Sequence, residues 1–197
     1  MMNKYSIGRL SLLFLVLGVT LLFGSCKRKY TPRPHGYFRI DLPEKKYCVY
    51  KGPCPFTFEY PVYAVVKKDE EPDAGPCWLN IDFPEFHGKI HFTYKKINNN
   101  LGQMLEDTYS LAYKHTVKAD AIREHSFSDR EKHVYGILYD IKGNVASNVQ
   151  FFLTDSTEHF VRGALYFKLV PEQDSLAPVI RFVRKDIIHL IQTFFWK

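Results

Sequence analysis

A chain of 197 residues, 46% hydrophobic and 16% aromatic, has the size and apolar content of one globular domain with its own core. That excludes a disordered or repeat protein. The formal charge of +6 is small and the cations are spread along the chain, which argues against a nucleic-acid partner.

The first 25 residues stand apart from the fold. Lys4 and Arg9 give a positive start, Leu10–Phe23 is an uncharged run of 14 residues, and Gly24 and Ser25 give a small-residue exit. This is the pattern of a secretory signal peptide. A membrane-spanning helix wants about 20 apolar residues, and this run is shorter. Leu22-Phe23-Gly24-Ser25-Cys26 resembles a bacterial lipobox, with Phe23 where that pattern prefers Leu. The resemblance implies that Cys26 begins the mature chain and carries lipid. Several acyl chains hold a protein stably, at about 0.8 kcal/mol per buried methylene, so the membrane is an expected partner. Lys27, Arg28 and Lys29 then lie at headgroup level, where anionic lipid attracts a basic cluster. A merely solvated tether is the alternative. Surface lipoproteins of the Bacteroides group resemble one another in an acidic stretch after the Cys. The basic stretch here points to a domain facing the periplasm, with the outer membrane preferred over the inner. An exported chain does not meet nucleic acid in its ordinary work.

Residues 26–55 read as the lipidated Cys and an extended arm, and residues 56–197 as a single domain. Pro32, Pro34 and Pro43 each fix their own φ and bias the preceding residue to extended geometry. Phe38, Ile40 and Leu42 alternate with charged neighbours, so the arm is expected to pack on the domain; a partner-binding segment is the alternative. Three cysteines remain after lipidation: Cys48, Cys54 and Cys77. The periplasm permits disulfides, and three pairings are open. Cys54–Cys77 is preferred because it staples two neighbouring strands. No His spacing supports a metal site.

Within the domain, Phe56–Tyr60 and Tyr63–Val66 read as short strands broken by Pro61, and Lys67–Pro76 as a charged loop. Cys77–Phe83 and Lys89–Lys95 alternate and form a hairpin. Asn100 and Gln103 make a capping-box pattern. Leu101, Met104, Leu105, Thr108, Leu111 and Ala112 follow as the stripe of a helix to about His115. Ala121–Phe127 and His133–Ile141 read as strands. Val145–Leu169 holds the expected centre of the sheet: a run rich in aromatic and β-branched residues, a turn at Thr154–Glu158, and strict alternation from His159. Ser175 can cap a final helix with Pro178 in its first turn. Ile180, Val183, Ile187, Leu190, Ile191 and Phe194 form its buried stripe, with Arg181, Arg184, Lys185, His189 and Gln192 facing water. The order implies an α+β fold, a mainly antiparallel sheet with two amphipathic helices packed on it. It resembles the layered PsbP-like domain, an analogy of fold that carries no function.

Chemistry-bearing motifs are sparse. There is no nucleophile elbow, phosphate-cradling loop or dinucleotide fingerprint. His87 and His91 flank a turn and a strand and do not face together. Asp155, Ser156 and His159 share one turn, which suits turn formation better than a triad. Glu106 and Asp107 read as solvated. Arg162 reads as a partly covered Arg paired with a carboxylate, or more sharply as an anion-binding Arg on the sheet face. Tyr135, Tyr139, Phe152, Phe160 and Tyr166 put aromatic surface on the second face, to be covered by a helix or left as an interaction patch.

The stretches Pro34–Pro43, Cys77–Pro84, Tyr113–Ile122, Phe151–Phe167, Asp174–Ile180 and the ending Phe195-Trp196-Lys197 resemble the gliding-motility lipoprotein GldD family of the Bacteroidota. The resemblance spans nearly all of the mature chain. It implies support of gliding and of the type IX secretion system, with other envelope proteins of that apparatus as partners. It assigns no catalytic residue, cofactor or metal. The expected role is a lipid-anchored, non-enzymatic scaffold; the alternative is a periplasmic small-ligand binder or envelope enzyme.

Overall fold

The computed structural model describes residues 40–114, 119–168 and 173–197, all within the unit Tyr37–Lys197. The signal segment, Cys26, the basic cluster at 27–29, Phe38 and His115 lie outside the described residues. In chain order the strands are β1 (Tyr47–Val49), β2 (Phe56–Thr57), β3 (Glu59–Pro61), β4 (Val65–Lys68), β5 (Leu79–Phe83) and β6 (Gly88–Lys96). Helix α1 (Leu101–Tyr113) follows, then β7 (Ala119–Asp129), β8 (Val134–Gly143), β9 (Val149–Thr154) and β10 (His159–Phe167). Helix α2 (Gln173–Thr193) and β11 (Phe195–Trp196) close the chain.

The alternating stretch from His159 does become the middle of the sheet. Strand β10 is the fourth of seven antiparallel strands in the order β4-β5-β6-β10-β9-β8-β7. Its two faces feed two cores. Val161 and Leu165 join Leu138, Phe151 and Leu153 beneath Val183, Ile187 and Leu190 of α2. Phe160 joins Tyr139, Ile141 and Phe152 beneath Met104 and Ala112 of α1. A sheet apolar on both faces needs cover on both, so the layers run helix, sheet, helix. The aromatic residues Tyr139, Phe152 and Phe160 are buried under α1, so that part of the second face is covered rather than left as a patch.

The first core is built largely of phenylalanine. Phe56, Phe58, Phe92, Phe151 and Phe194 are each at most 1% exposed, and burying a side chain of this size contributes about 1.5–3 kcal/mol. Gly163 fits this packing: a Cβ there would run into the Phe151 ring on the neighbouring strand.

The Thr154–Glu158 link behaves as its composition predicts. Asp155 Oδ1 accepts from the amides of Thr157, Glu158 and His159 at 3.0, 2.9 and 2.8 Å. Thr154 Oγ1 accepts from the Ser156 amide at 2.9 Å.

Several local expectations change. Asn100 precedes α1 but makes no capping bond; its Oδ1 accepts from the Asn98 amide at 2.9 Å, so the loop takes the oxygen. Helix α2 starts at Gln173, which places Ser175 inside it and Pro178 beyond the first turn, at the cost of one backbone bond. Strand β4 continues through Lys67 and Lys68, because its partner β5 supplies the pairing that those side chains do not demand. The arm also differs. Ile40 and Leu42 are exposed, whereas Tyr47–Val49 pairs antiparallel with β3 and Cys54 is buried in the first core. The body of the domain therefore includes residues that read from sequence as the end of the arm.

Candidate functional site

Three places bring polar side chains together. The first joins the incoming chain to α2. Asp186 is 2% exposed. Its Oδ1 accepts from Lys45 Nζ at 2.7 Å and from the Tyr47 hydroxyl at 3.0 Å, and its Oδ2 from the Tyr63 hydroxyl at 2.6 Å. Lys45 also donates to the Phe182 carbonyl at 3.0 Å and lies 3.3 Å from the Phe182 ring centroid, a cation–π contact. One turn along α2, His189 stacks on Tyr47 with ring centroids 3.6 Å apart and bonds Glu59 at 2.7 Å. Burial, then the Asp186 charge, pushes the Tyr47 hydroxyl up to about 12. Burial likewise leads the rise at Tyr63. At Lys45 burial lowers the pKa and outweighs the Asp186 hydrogen bond. Every group here is satisfied, which marks a clasp rather than a reactive centre.

The second place is a cleft of about 370 Å³ between α1 and the sheet, lined by Trp78, Thr93, Met104, Leu111, Phe160 and Arg162 among others. Adjacent strands set its floor: Thr93 on β6 faces Arg162 on β10, which faces Phe152 on β9. The row beside it holds Asn80, His91, Ala164 and Gln150. Arg162 Nη2 donates to Gln150 Oε1 at 2.8 Å. Its Nε is buried without a partner, as are Gln150 Nε2 and Asn80 Oδ1. Burial lowers the pKa of Arg162, with Tyr166 opposing. The carboxylate partner expected for Arg162 is absent among the described residues; a glutamine stands there instead.

The third is a cleft of about 350 Å³ beside α2, lined by Arg123, Lys142, Arg181 and Arg184. Arg184 makes a two-point contact with Asp140, 2.6 Å at each oxygen, and His125 bonds the same carboxylate at 3.0 Å. The hydrogen bond to Asp140 raises the Arg184 pKa. Arg184 and His189 were expected to face water; both instead reach across from α2 to strands.

Cys54 and Cys77 are bonded, with Cα atoms 5.5 Å apart, and Cys48 is a free thiol. The His159 ring bonds the Tyr94 hydroxyl, 2.8 Å from its Nδ1, and stacks on Trp196. His91 packs edge-on to Tyr166, while His87 ends a 3-10 turn. Glu106 and Asp107 are exposed. Among the described residues no three His, Cys, Asp or Glu side chains converge on a metal position, and no helix is long and apolar enough to cross a membrane. Sequence reasoning passed over Asp186. The available signal was its position, three residues after Val183 and four before Leu190, within the apolar stripe.

The sequence model of the family described as gliding motility lipoprotein GldD matches residues 27–196. The chain belongs to this family. Membership makes it a lipoprotein of the gliding-motility system, associated with the cell envelope. No curated protein matches the chain. Among solved structures, the cyanobacterial PsbP (CyanoP) of Synechocystis sp. PCC 6803 in solution is similar, with a TM-score of 0.50 and 10% identity over 81% of this chain and 98% of that one. At that identity the likeness is one of fold alone, and it agrees with the α+β layering of this GldD-family domain.

Proposed function

We propose that this GldD-family protein is a lipid-anchored accessory component supporting gliding and type IX secretion. It is held by acyl chains on Cys26, faces the periplasm from the outer membrane in preference to the inner, and acts by binding envelope partners rather than by catalysis. The observation that carries this reading is the family match beginning at residue 27, one residue after the Cys of the lipobox-like sequence. The clasp around Asp186 supports it. A tethered scaffold needs its incoming chain fastened to the body, and Lys45 and Tyr47 do this with a fully bonded cluster.

The test compares the culture secretome and surface proteome of a deletion strain complemented with wild type or Cys26→Ser. Selective loss of type IX cargo, restored by wild type and not by Cys26→Ser, is the expected result. Cargo unchanged by the deletion would remove the secretion role. Normal fatty-acid labelling of Cys26→Ser would remove the anchor.

A further inference from the structure

We propose that the cleft under α1 binds a small organic anion, with its acidic head on Arg162 and its apolar body against Trp78, Met104 and Phe160. This goes beyond the anchoring role and stands or falls separately from it. Arg162 carries a permanent positive charge with five donors, yet the partner of its Nη2 is the neutral Gln150. Its Nε is buried and unbonded, and Gln150, only 1% exposed, keeps its own Nε2 unbonded. Arg162 as a whole is half-buried, with Tyr166 as a further polar neighbour; a partly desolvated cation with no carboxylate beside it and buried donors without acceptors are both costly. Both costs fall on one linked pair, and of the two it is Arg162 that lines the cleft, where an oxyanion would supply the missing counter-charge.

The alternative is a purely structural Arg neutralised within the fold. The lining contains one carboxylate, Asp107. It is exposed on α1 and forms no ion pair with Arg162 among the described residues. Lys95 and Lys114, also exposed, line the cleft and bias the entrance toward anions. The apolar walls are Trp78, Met104, Leu111 and Phe160, and Thr93, Thr108 and Ser110 make up the rest of the lining. An apolar wall with a few converging polar groups is the usual make-up of a small-molecule site. The volume of about 370 Å³ suits a compact ligand better than a folded partner. The shared ligand chemistry is a carboxylate or phosphate on an aromatic or aliphatic body, supplied free in the periplasm or by an anionic lipid.

The experiment uses the lipidated protein in phosphatidylcholine nanodiscs and calorimetry with three probes: phenylbutyrate, phenyl phosphate and the uncharged phenylbutanol. At least one anionic probe is expected to bind roughly tenfold or more tighter than phenylbutanol, the scale of a charge-assisted hydrogen bond. Arg162→Met should abolish that preference, and Arg123→Gln in the other cleft should leave it intact. If Arg162→Met fails to fold, the exposed pair Lys95→Gln/Lys114→Gln decides, with a loss of several-fold expected for the anions and none for the alcohol. Exchanging part of the lipid for phosphatidylglycerol separates the two sources. Competition with the soluble anion identifies a lipid headgroup, and unchanged binding identifies a free solute. Equal binding of anion and alcohol, binding of none of the probes, or an Arg162→Met protein that keeps the preference would each overturn the proposal.

Discussion

Lys45 and Asp186 stand 141 residues apart in sequence and 2.7 Å apart in the fold. The first described stretch of the chain is thereby fastened to the last helix. A pull on the chain at Lys45 is carried into α2, which is rooted in the first core through Val183 and Ile187, the residues flanking Asp186 on the same stripe. Asp186→Ala strips one carboxylate from three donors and is expected to cost about 3 kcal/mol, as for a broken buried ion pair. Tyr47→Phe removes a single hydrogen bond and should cost about 1 kcal/mol. Urea unfolding measures both. Equal, small effects would show that the cluster adds little beyond packing.

Alkaline pH should attack the same clasp, at Tyr47, and the core under α1, at Tyr139. The Tyr47 and Tyr139 hydroxyls are each pushed up to about 12, burial being the leading cause. A pKa raised on folding means the folded state holds its proton more tightly. The associated stability is fully present below the ordinary value near 10 and is lost as pH rises toward 12. The urea midpoint should therefore fall over that interval, in step with tyrosinate absorbance. Tyr47→Phe should lessen the fall, and a midpoint flat through the interval would count against burial of these hydroxyls.

The Cys54–Cys77 bond closes a loop of sequence separation 23. Chain-entropy reasoning puts the cost of losing it at about 3 kcal/mol. Reductant should lower the unfolding midpoint of wild type and of Cys48→Ser alike, and leave Cys54→Ala/Cys77→Ala unmoved. Peptide mass mapping of the non-reduced protein checks the pairing directly, and a Cys48-containing bridge would reject it.

Gly163→Ala places a methyl group against the Phe151 ring across the β9–β10 pair. Overpacking of this kind costs about 1–3 kcal/mol. Phe151→Leu alone should also destabilise, but the double variant should recover part of the loss, giving a non-additive cycle. Strict additivity would mean that the two side chains do not meet.

Asp155 holds the hairpin between β9 and β10. Burial raises its pKa, but the His159, Thr157 and Glu158 amides outweigh that and leave it below the ordinary carboxylate value. Its stability is therefore present above the ordinary value and is lost as pH falls through the folded pKa. Asp155→Ala should cost about 1 kcal/mol near neutrality, as for a lost cap. The difference from wild type should shrink in acid, and calorimetry across that range tests the convergence.

Wherever local chemistry decides the outcome, the sequence was enough. Alternation from His159 named β10 as the centre because a strand's two faces differ by single steps in the chain. Asp155 was legible as a turn former because its bonds reach only the next few amides. The stripe from Val183 to Leu190 declared a buried helix face by the same logic of period.

Tertiary structure decided what depends on distant partners. Nothing local to Arg162 says that β9 will offer it Gln150 in place of a carboxylate; the strand register does that. The position of Asp186 within the apolar stripe of α2 marks it as covered, but only the fold shows that Lys45, Tyr47 and Tyr63 cover it. Periodicity records which way a side chain points. It holds no record of what stands opposite, because that depends on long-range pairing, and with it depends whether a charge is solvated, clasped or left waiting for a ligand.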